Sequence, residues 1–285
     1  MGRWGSDDEA GAYNLIDAAA VRRGLASVRE GRVLSLAVPI KGGSRGPAVP
    51  SRAPVQHFMT RDGGDYCDGR HEKGGFGFSD DYIALPTQGT THIDALAHVW
   101  RDGIMYNGFR ASEVSSRGAA RCGIDKLGPI VTRALFVDFA DEIGDAASRP
   151  ITLAMLRAAI ERGGVRPEPG DALLVRTGWM TAFKAGKGMP LQSSGLHGDC
   201  AEWIVEQGFA LVAADNEAVE VLPSGNPDCA VPLHIGLTRD HGIYLAELLD
   251  LDALAEAAPA ACLLTIAPLR IAGGTGSPIN PVAVL

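Results

Sequence analysis

The stretch Thr87-Gln-Gly-Thr-Thr-His-Ile-Asp-Ala-Leu-Ala-His98 decides how the chain is read. Taken as extended over 91–95, it turns His92 and Asp94 to one face and Ile93 to the core. On a helix, residues two apart do not face each other, so only the strand makes a chelate. A turn after Asp94 would swing His98 back beside the pair. Imidazole plus carboxylate from one strand is a usual way to hold Zn²⁺, Mn²⁺ or Fe²⁺. The plainer reading is a pair of polar residues capping a strand end.

A metal site needs more ligands than these two. His234 follows Pro232-Leu233, and Glu247 follows the apolar run 243–246. They lie 247 − 234 = 13 residues apart, far enough to come from separate elements meeting at one point. Taken singly, His234 reads as an interior histidine and Glu247 as a solvated or helix-capping carboxylate. Spacing leaves both readings open.

Working outward, the pattern predicts a helix over 18–30 with Asp17 as N-cap and Gly31 as stop. A strand follows over 32–40, then a Gly-rich loop over 61–78 and a strand over 82–85 leading into the motif. Apolar strands are predicted at 134–139, 172–175, 209–213, 243–245 and 263–266. Leu153, Leu156 and Ile160 share one face of a helix over 152–162, with Thr152 as N-cap and Gly163 as stop. Further helices are predicted at 200–207, ending at Gly208, and at 251–257. Residues 184–196 read as a loop. Helices and strands intermingle without regular βαβ spacing. The expected architecture is therefore α/β or α+β, one domain over 1–285, with a mixed or antiparallel sheet flanked by helices.

Composition narrows the function. Hydrophobic residues are 46% and charged residues 21%, so the chain is not disordered. Its net charge of −8 argues against nucleic-acid or anionic-membrane partners, which require an excess of Lys and Arg. Five dispersed cysteines, Cys67, Cys122, Cys200, Cys229 and Cys262, include no Cys-x-x-Cys pair and read as reduced thiols of a cytoplasmic protein. The longest apolar run, 257–269, is broken by Pro259 and Pro268, so no membrane span is expected. Met1-Gly-Arg-Trp-Gly-Ser6 fits a myristoylation pattern but lacks a basic second anchor. The glycines at 273–276 and 61–65 read as turns rather than phosphate loops, and no Gly-x-Ser-x-Gly elbow is present. Asp215-Asn-Glu217 follows a strand and has no assigned role.

The block Gln88…His92-Ile-Asp94-Ala-Leu-Ala-His98 resembles the His-x-Gly-Thr-His-x-Asp-x-Pro-x-His signature of the metal-dependent cyclase family, which includes kynurenine formamidases and isatin hydrolases. Arg3-Trp-Gly…Asp8…Gly11…Asn14, Asp102-Gly-Ile-Met-Tyr-Asn-Gly108 and His234…Gly242-Ile-Tyr…Glu247-Leu-Leu-Asp-Leu251 resemble further segments of its longer members, in the right order. The resemblance implies a swivelling β/β/α fold, metal ligation by His92 and Asp94, completion of the centre by His234 and Glu247, and a catalytic His98. Gln88 stands where formamidases carry their first His. An amide oxygen is a weaker and harder donor, which tilts the expectation to one divalent ion, Mn²⁺ before Zn²⁺. Ala95-Leu96 also departs from the formamidases' Ala-Pro.

The implied reaction is hydrolysis of a cyclic or linear amide-type bond in a small molecule, such as a lactam or an aryl formamide. His98 would take a proton from water and hand it to the departing nitrogen. Trp100, Phe58 and Trp4, with Phe76 and Phe78, are candidates for an apolar substrate wall. Family analogy suggests a homodimer or homotetramer. Two other readings compete. A non-haem Fe(II) oxygenase could use His92, Asp94 and His234 but leaves His98 and Glu247 idle. A catalytically inactive metal-binding protein could share the same fold.

Overall fold

In the computed structural model, residues 3–44, 46–47, 49–66, 73–144, 148–187 and 191–285 are described. Cys67, the amino-terminal Met1-Gly2 and parts of the 61–78 and 184–196 segments lie outside them. The framework is one sheet of nine strands: β1 (Val33–Ser35), β2 (His92–Asp94), β3 (Ile130–Asp138), β4 (Ala172–Arg176), β5 (Leu211–Ala214), β6 (Tyr244–Glu247), β7 (Ala261–Ile266), β8 (Gly276–Pro278) and β9 (Val282–Val284). Their order is β1-β9-β7-β3-β4-β5-β6-β2-β8. β3, β4, β5 and β6 run parallel. Antiparallel pairs complete both sides, so the sheet is mixed.

The parallel quartet is buried on both faces, which is why 172–175 and 211–214 read as unbroken apolar runs rather than alternating ones. Leu135, Val137, Leu173, Val175, Val212 and Leu245 pack against helices α2 (Leu153–Gly163) and α3 (Cys200–Gln207), through Leu156, Ile160 and Ile204. Phe136, Leu174, Ala213 and Ala246 face a second cluster with Ile93, Leu96, Met105, Tyr106 and Leu264. Thr152 caps α2 by accepting from the Met155 amide, and Gly164 and Gly208 take left-handed conformations beyond α2 and α3. The stop of α2 is thus Gly164, one residue past the predicted Gly163.

The helix predicted over 18–30 spans only Ala18–Ala26. Its start is as expected, since Asp17 accepts from the amides of Ala19 and Ala20 at 2.8 and 2.9 Å. It ends early because Ser27 turns its hydroxyl back onto the Gly24 carbonyl. Asp171, fully buried, holds this helix to the sheet through Arg23 at 3.0 Å and Arg133 at 2.6 Å. The strand predicted over 32–40 is ordered as a strand only at 33–35, and 134–139 proves to be the end of the long central β3. The 184–196 segment is not all loop: the helix Trp179–Lys184 enters it, and Gly195–Leu196 pairs with Pro150–Ile151.

The strand leading toward the motif is Asp80–Ala84, and it does not join the main sheet. It pairs with Gln56–Arg61 in a separate two-stranded ribbon exposed along almost its whole length. Phe58 and Tyr82 stack across it with centroids 5.2 Å apart. The amino-terminal and 102–108 segments are scaffold: Tyr106 Oη donates to Asp8 at 2.7 Å, and Asn107 donates to the carbonyls of Gly5 and Asp8. Gly11 and Gly242 meet so closely that a Cβ on Gly11 would lie 2.4 Å from the Gly242 oxygen. No helix among the described residues is long and apolar enough to cross a membrane.

Candidate metal centre

The centre is built on two neighbouring strands. His92 of β2 lies directly opposite Glu247 of β6 in the antiparallel register, and Asp94 is two positions along on the same face. Ile93 and Ala246 turn to the other face and are fully buried. Side chains opposite each other in such a pair come within interaction range without help from loops. His92 Nε2 lies 3.3 Å from Glu247 Oε2 and 3.7 Å from Asp94 Oδ1. One ligand-type atom from each of His92, Asp94 and Glu247 falls within 4.8 Å of the other two.

All three are buried, yet His92 Nε2 and both Asp94 oxygens lack a hydrogen-bond partner. Buried polar atoms without partners are costly, and a cluster of them within reach of one another fits a cation held between them. The donor set fits a divalent ion. His92 Nδ1 donates to the Thr90 carbonyl at 2.7 Å, which leaves the Nε2 lone pair for a metal. Two carboxylates supply two negative charges, and three protein ligands leave a position open, as catalytic sites require.

The protons of this site tell the same story. Burial disfavours a charged His92, but Glu247 and Asp94 outweigh it and raise the imidazole above its usual range. Burial also opposes ionisation of Glu247, and the hydrogen bond with His234 and the close approach of His92 overcome that and hold it well below the carboxylate range. The same negative charge would favour a divalent cation, whose binding requires His92 to lose that proton.

His234 comes to the centre but engages carboxylates with both ring nitrogens: Nδ1 faces Glu220 at 2.6 Å and Nε2 faces Glu247 at 3.0 Å. Despite burial, these bonds push it up to about 10. Glu220 also accepts from the amides of Leu233 and His234, so it fixes the turn that carries the ring. A short π-helix, Ile235–Asp240, follows at once. Pairing Glu220 with His234 is a long-range event for which the sequence carries no local signal.

His98 Nε2 stands 3.8 Å from Asp94 Oδ1, and its side chain is 27% exposed where His92 is sealed. Gln88 is beside it, but its amide is turned to other partners. Its Oε1 accepts from Thr87 Oγ1 at 2.7 Å, and its Nε2 faces His98 Nδ1 at 3.4 Å and the Thr275 carbonyl at 3.2 Å. Asp215 accepts from Thr177 and Gly178 at the end of β5. Glu217 is buried, with Oε2 unpartnered and Oε1 accepting from the Leu191 amide. Burial pushes it up to about 7.

The candidate substrate wall is scattered. Trp100 is 48% and Phe58 51% exposed. Trp4 lines a separate groove with Phe209, His241 and Ile243, away from the His–Asp–Glu cluster.

Fold and site together define a mixed-sheet α/β protein with a buried His–Asp–Glu cluster of the kind that can hold a metal ion. The sequence profile of the family described as "Putative cyclase" matches residues 34–221. A solved structure described as a novel cyclase is 34% identical, with a TM-score of 0.90, covering 100% of this chain and 98% of that one. The chain belongs to this cyclase family. Its fold is also that of isatin hydrolase A from Labrenzia aggregata (18% identity, TM-score 0.69, 91% and 94% of the two chains covered). A predicted metal-dependent hydrolase from Bacillus stearothermophilus shares it as well (16%, 0.57, 88% and 97%). No curated protein matches the sequence.

Proposed function

We propose that the protein is a metal-dependent hydrolase of small molecules that cleaves an amide-type carbon–nitrogen bond, as in a cyclic lactam or an aryl formamide. The observation that carries this reading is the buried trio His92, Asp94 and Glu247, with unpartnered ligand atoms and the part-exposed His98 alongside. Isatin hydrolase A and the predicted metal-dependent hydrolase that share its fold support it.

His92, Asp94 and Glu247 would hold one divalent ion, Mn²⁺ in preference to Zn²⁺. When bound, the ion supplies Lewis-acid polarisation of a carbonyl and a more acidic water. His234, clamped by Glu220, orients Glu247 through its Nε2 contact, which makes it a support for a ligand. This geometry also favours hydrolysis over an iron-oxygenase triad of His92, Asp94 and His234, because Glu247, not His234, completes the trio. His98 is the group that exchanges a proton with the reacting atoms at Nε2, on the solvent-facing side of Asp94. Trp100 and the ribbon carrying Phe58 would form the apolar wall, with the exposed ribbon pairing against a second copy in a homodimer or homotetramer. The net charge of −8 fits a cytoplasmic enzyme without nucleic-acid partners.

The test is elemental analysis of tag-free protein beside His92→Ala, followed by a screen of lactams and formamides with Mn²⁺ or Zn²⁺ restored. Near-stoichiometric metal lost in the variant, with turnover of a lactam or formamide, supports the reading. Stoichiometric metal without turnover of any amide would leave a binding protein, and no metal after reconstitution would overturn the centre.

A further inference from the structure

Gln88 occupies the motif position where a ligand is expected, yet its amide is fixed by contacts that point it away from ligation. The Thr275 carbonyl can only accept, so the atom facing it at 3.2 Å must be the amide nitrogen. The amide oxygen then accepts from Thr87 Oγ1 at 2.7 Å. Outside the pocket, the Gln88 carbonyl accepts from Arg52 at 2.7 Å, which pins the backbone. Inside it, the amide rests on Gly276, where a Cβ would come within 2.4 Å of the Gln88 nitrogen. Gly276 is itself the ladder partner of Asp94. Only glycine there leaves room for the amide beside the metal strand.

The second hydrogen on that nitrogen faces His98 Nδ1 at 3.4 Å. An amide nitrogen donates and does not accept, so Nδ1 must offer its lone pair. A neutral imidazole that accepts at Nδ1 carries its hydrogen at Nε2, the atom directed at Asp94. We infer that Gln88 is a positioning residue for His98 rather than a metal ligand: seated by Thr87, Thr275 and Gly276, it holds the neutral ring as the Nε2–H tautomer. The inference rests on the reading of His98 as the reacting-side histidine and refines it. In the resting protein that ring meets the pocket as a hydrogen-bond donor. It matches an oxyanion or a departing nitrogen better than a water needing a base.

The experiment is nitrogen-15 NMR of the His98 ring at mildly alkaline pH, in the apoprotein and with Zn²⁺ bound, together with Zn²⁺ titration of each variant. In the unaltered protein Nε2 should resonate as the protonated nitrogen and Nδ1 as the bare one. Gln88→Glu, which turns a donor into an acceptor, should reverse the two. Gly276→Ala, which displaces the amide without changing it, should mix them. Gln88→Leu should also mix them while losing less than about tenfold in Zn²⁺ affinity, where removal of a true ligand costs more than about 100-fold. A proton on Nδ1 in the unaltered protein would overturn the inference, as would a ligand-sized affinity loss in Gln88→Leu. Neither readout depends on turnover, so failure to hydrolyse any amide would count against the proposed function alone.

Discussion

His92 and Glu247 face each other across one antiparallel step, Nε2 to Oε2 at 3.3 Å, so backbone register sets the spacing of two ligands. Register is the stiffest ruler a sheet offers, since a slip of one strand by one residue would turn its side chain to the opposite face and part the pair. Glu247→Gln keeps shape and register but removes the charge. We expect Mn²⁺ and Zn²⁺ affinity to fall by at least about 100-fold, and the melting temperature of the apoprotein to fall near neutral pH, because His234 loses one of its two carboxylates. Equilibrium dialysis beside a thermal melt checks this, and undiminished affinity would remove Glu247 from the centre.

Metal binding should release protons. In the free site, Glu247 and Asp94 raise His92 above its usual range, and the ring must shed that proton to ligate. Affinity is therefore expected to weaken as pH falls through the imidazole range. Calorimetry in buffers of different ionisation enthalpy reads the proton release directly. An apparent enthalpy independent of the buffer would contradict it.

His234 supplies a second pH effect, on the stability of the metal-free protein. Its folded value is raised from 6.5 to about 10 by Glu220 and Glu247. A raised imidazole stabilises the fold fully below its unfolded value, and that contribution is lost as pH climbs through the folded one. Apoprotein stability should therefore decline between about pH 6.5 and 10. Glu220→Gln should flatten that decline, and it should cost about 2–3 kcal/mol near neutrality, because the Leu233 and His234 amides lose a charged acceptor. Urea unfolding at a series of pH values measures both, and a slope unchanged in the variant would refute the assignment.

The close approach of Gly11 and Gly242 ties the amino-terminal segment to the end of the 232–242 turn. Gly11 has a φ of +57°, and any Cβ would press on the Gly242 carbonyl. Gly11→Ala is expected to destabilise by about 2 kcal/mol or more through strain and overlap together. A denaturation midpoint equal to that of the unaltered chain would argue that the segment is not packed in this way.

Asp171→Ala should be among the more damaging single changes away from the centre. It leaves Arg23 and Arg133 facing a void where a buried carboxylate held them, at a cost of about 3 kcal/mol or more. Chemical denaturation gives the number. A change under about 1 kcal/mol would mean the arginines re-pair with Glu168, which already lies 3.4 Å from Arg133.

Much of this was legible in the sequence, for identifiable reasons. The parallel strands announced themselves as short apolar runs at 172–175 and 209–213, and Thr152 and Gly208 marked ends of α2 and α3, with the stop of α2 falling one residue past the expected Gly163. The motif strand was readable because His92 and Asp94 alternate with the apolar Ile93. What stayed hidden depends on partners far away in the chain. Ser27 ends the first helix by a side-chain bond that no apolar period signals. The strand at 82–85 read as sheet entry, and its partner over 56–61 went unread, because strand pattern does not say which strand is the neighbour. The orientation of the Gln88 amide was decided by Thr275, 187 residues downstream.

The same distance governs how the centre comes into being. His92 and Asp94 are neighbours in sequence, but Glu247 is 247 − 94 = 153 residues beyond Asp94, on the strand that joins β2 to the parallel quartet. A nascent or unfolded chain thus holds two donors together and the third at random. Ion capture with full affinity must then wait for β6 to pair with β2, and a bound cation favours the folded state over states that lack this pairing. Refolding monitored through ion uptake would report the pairing of β6 with β2, making the centre a clock for assembly as well as a place for chemistry.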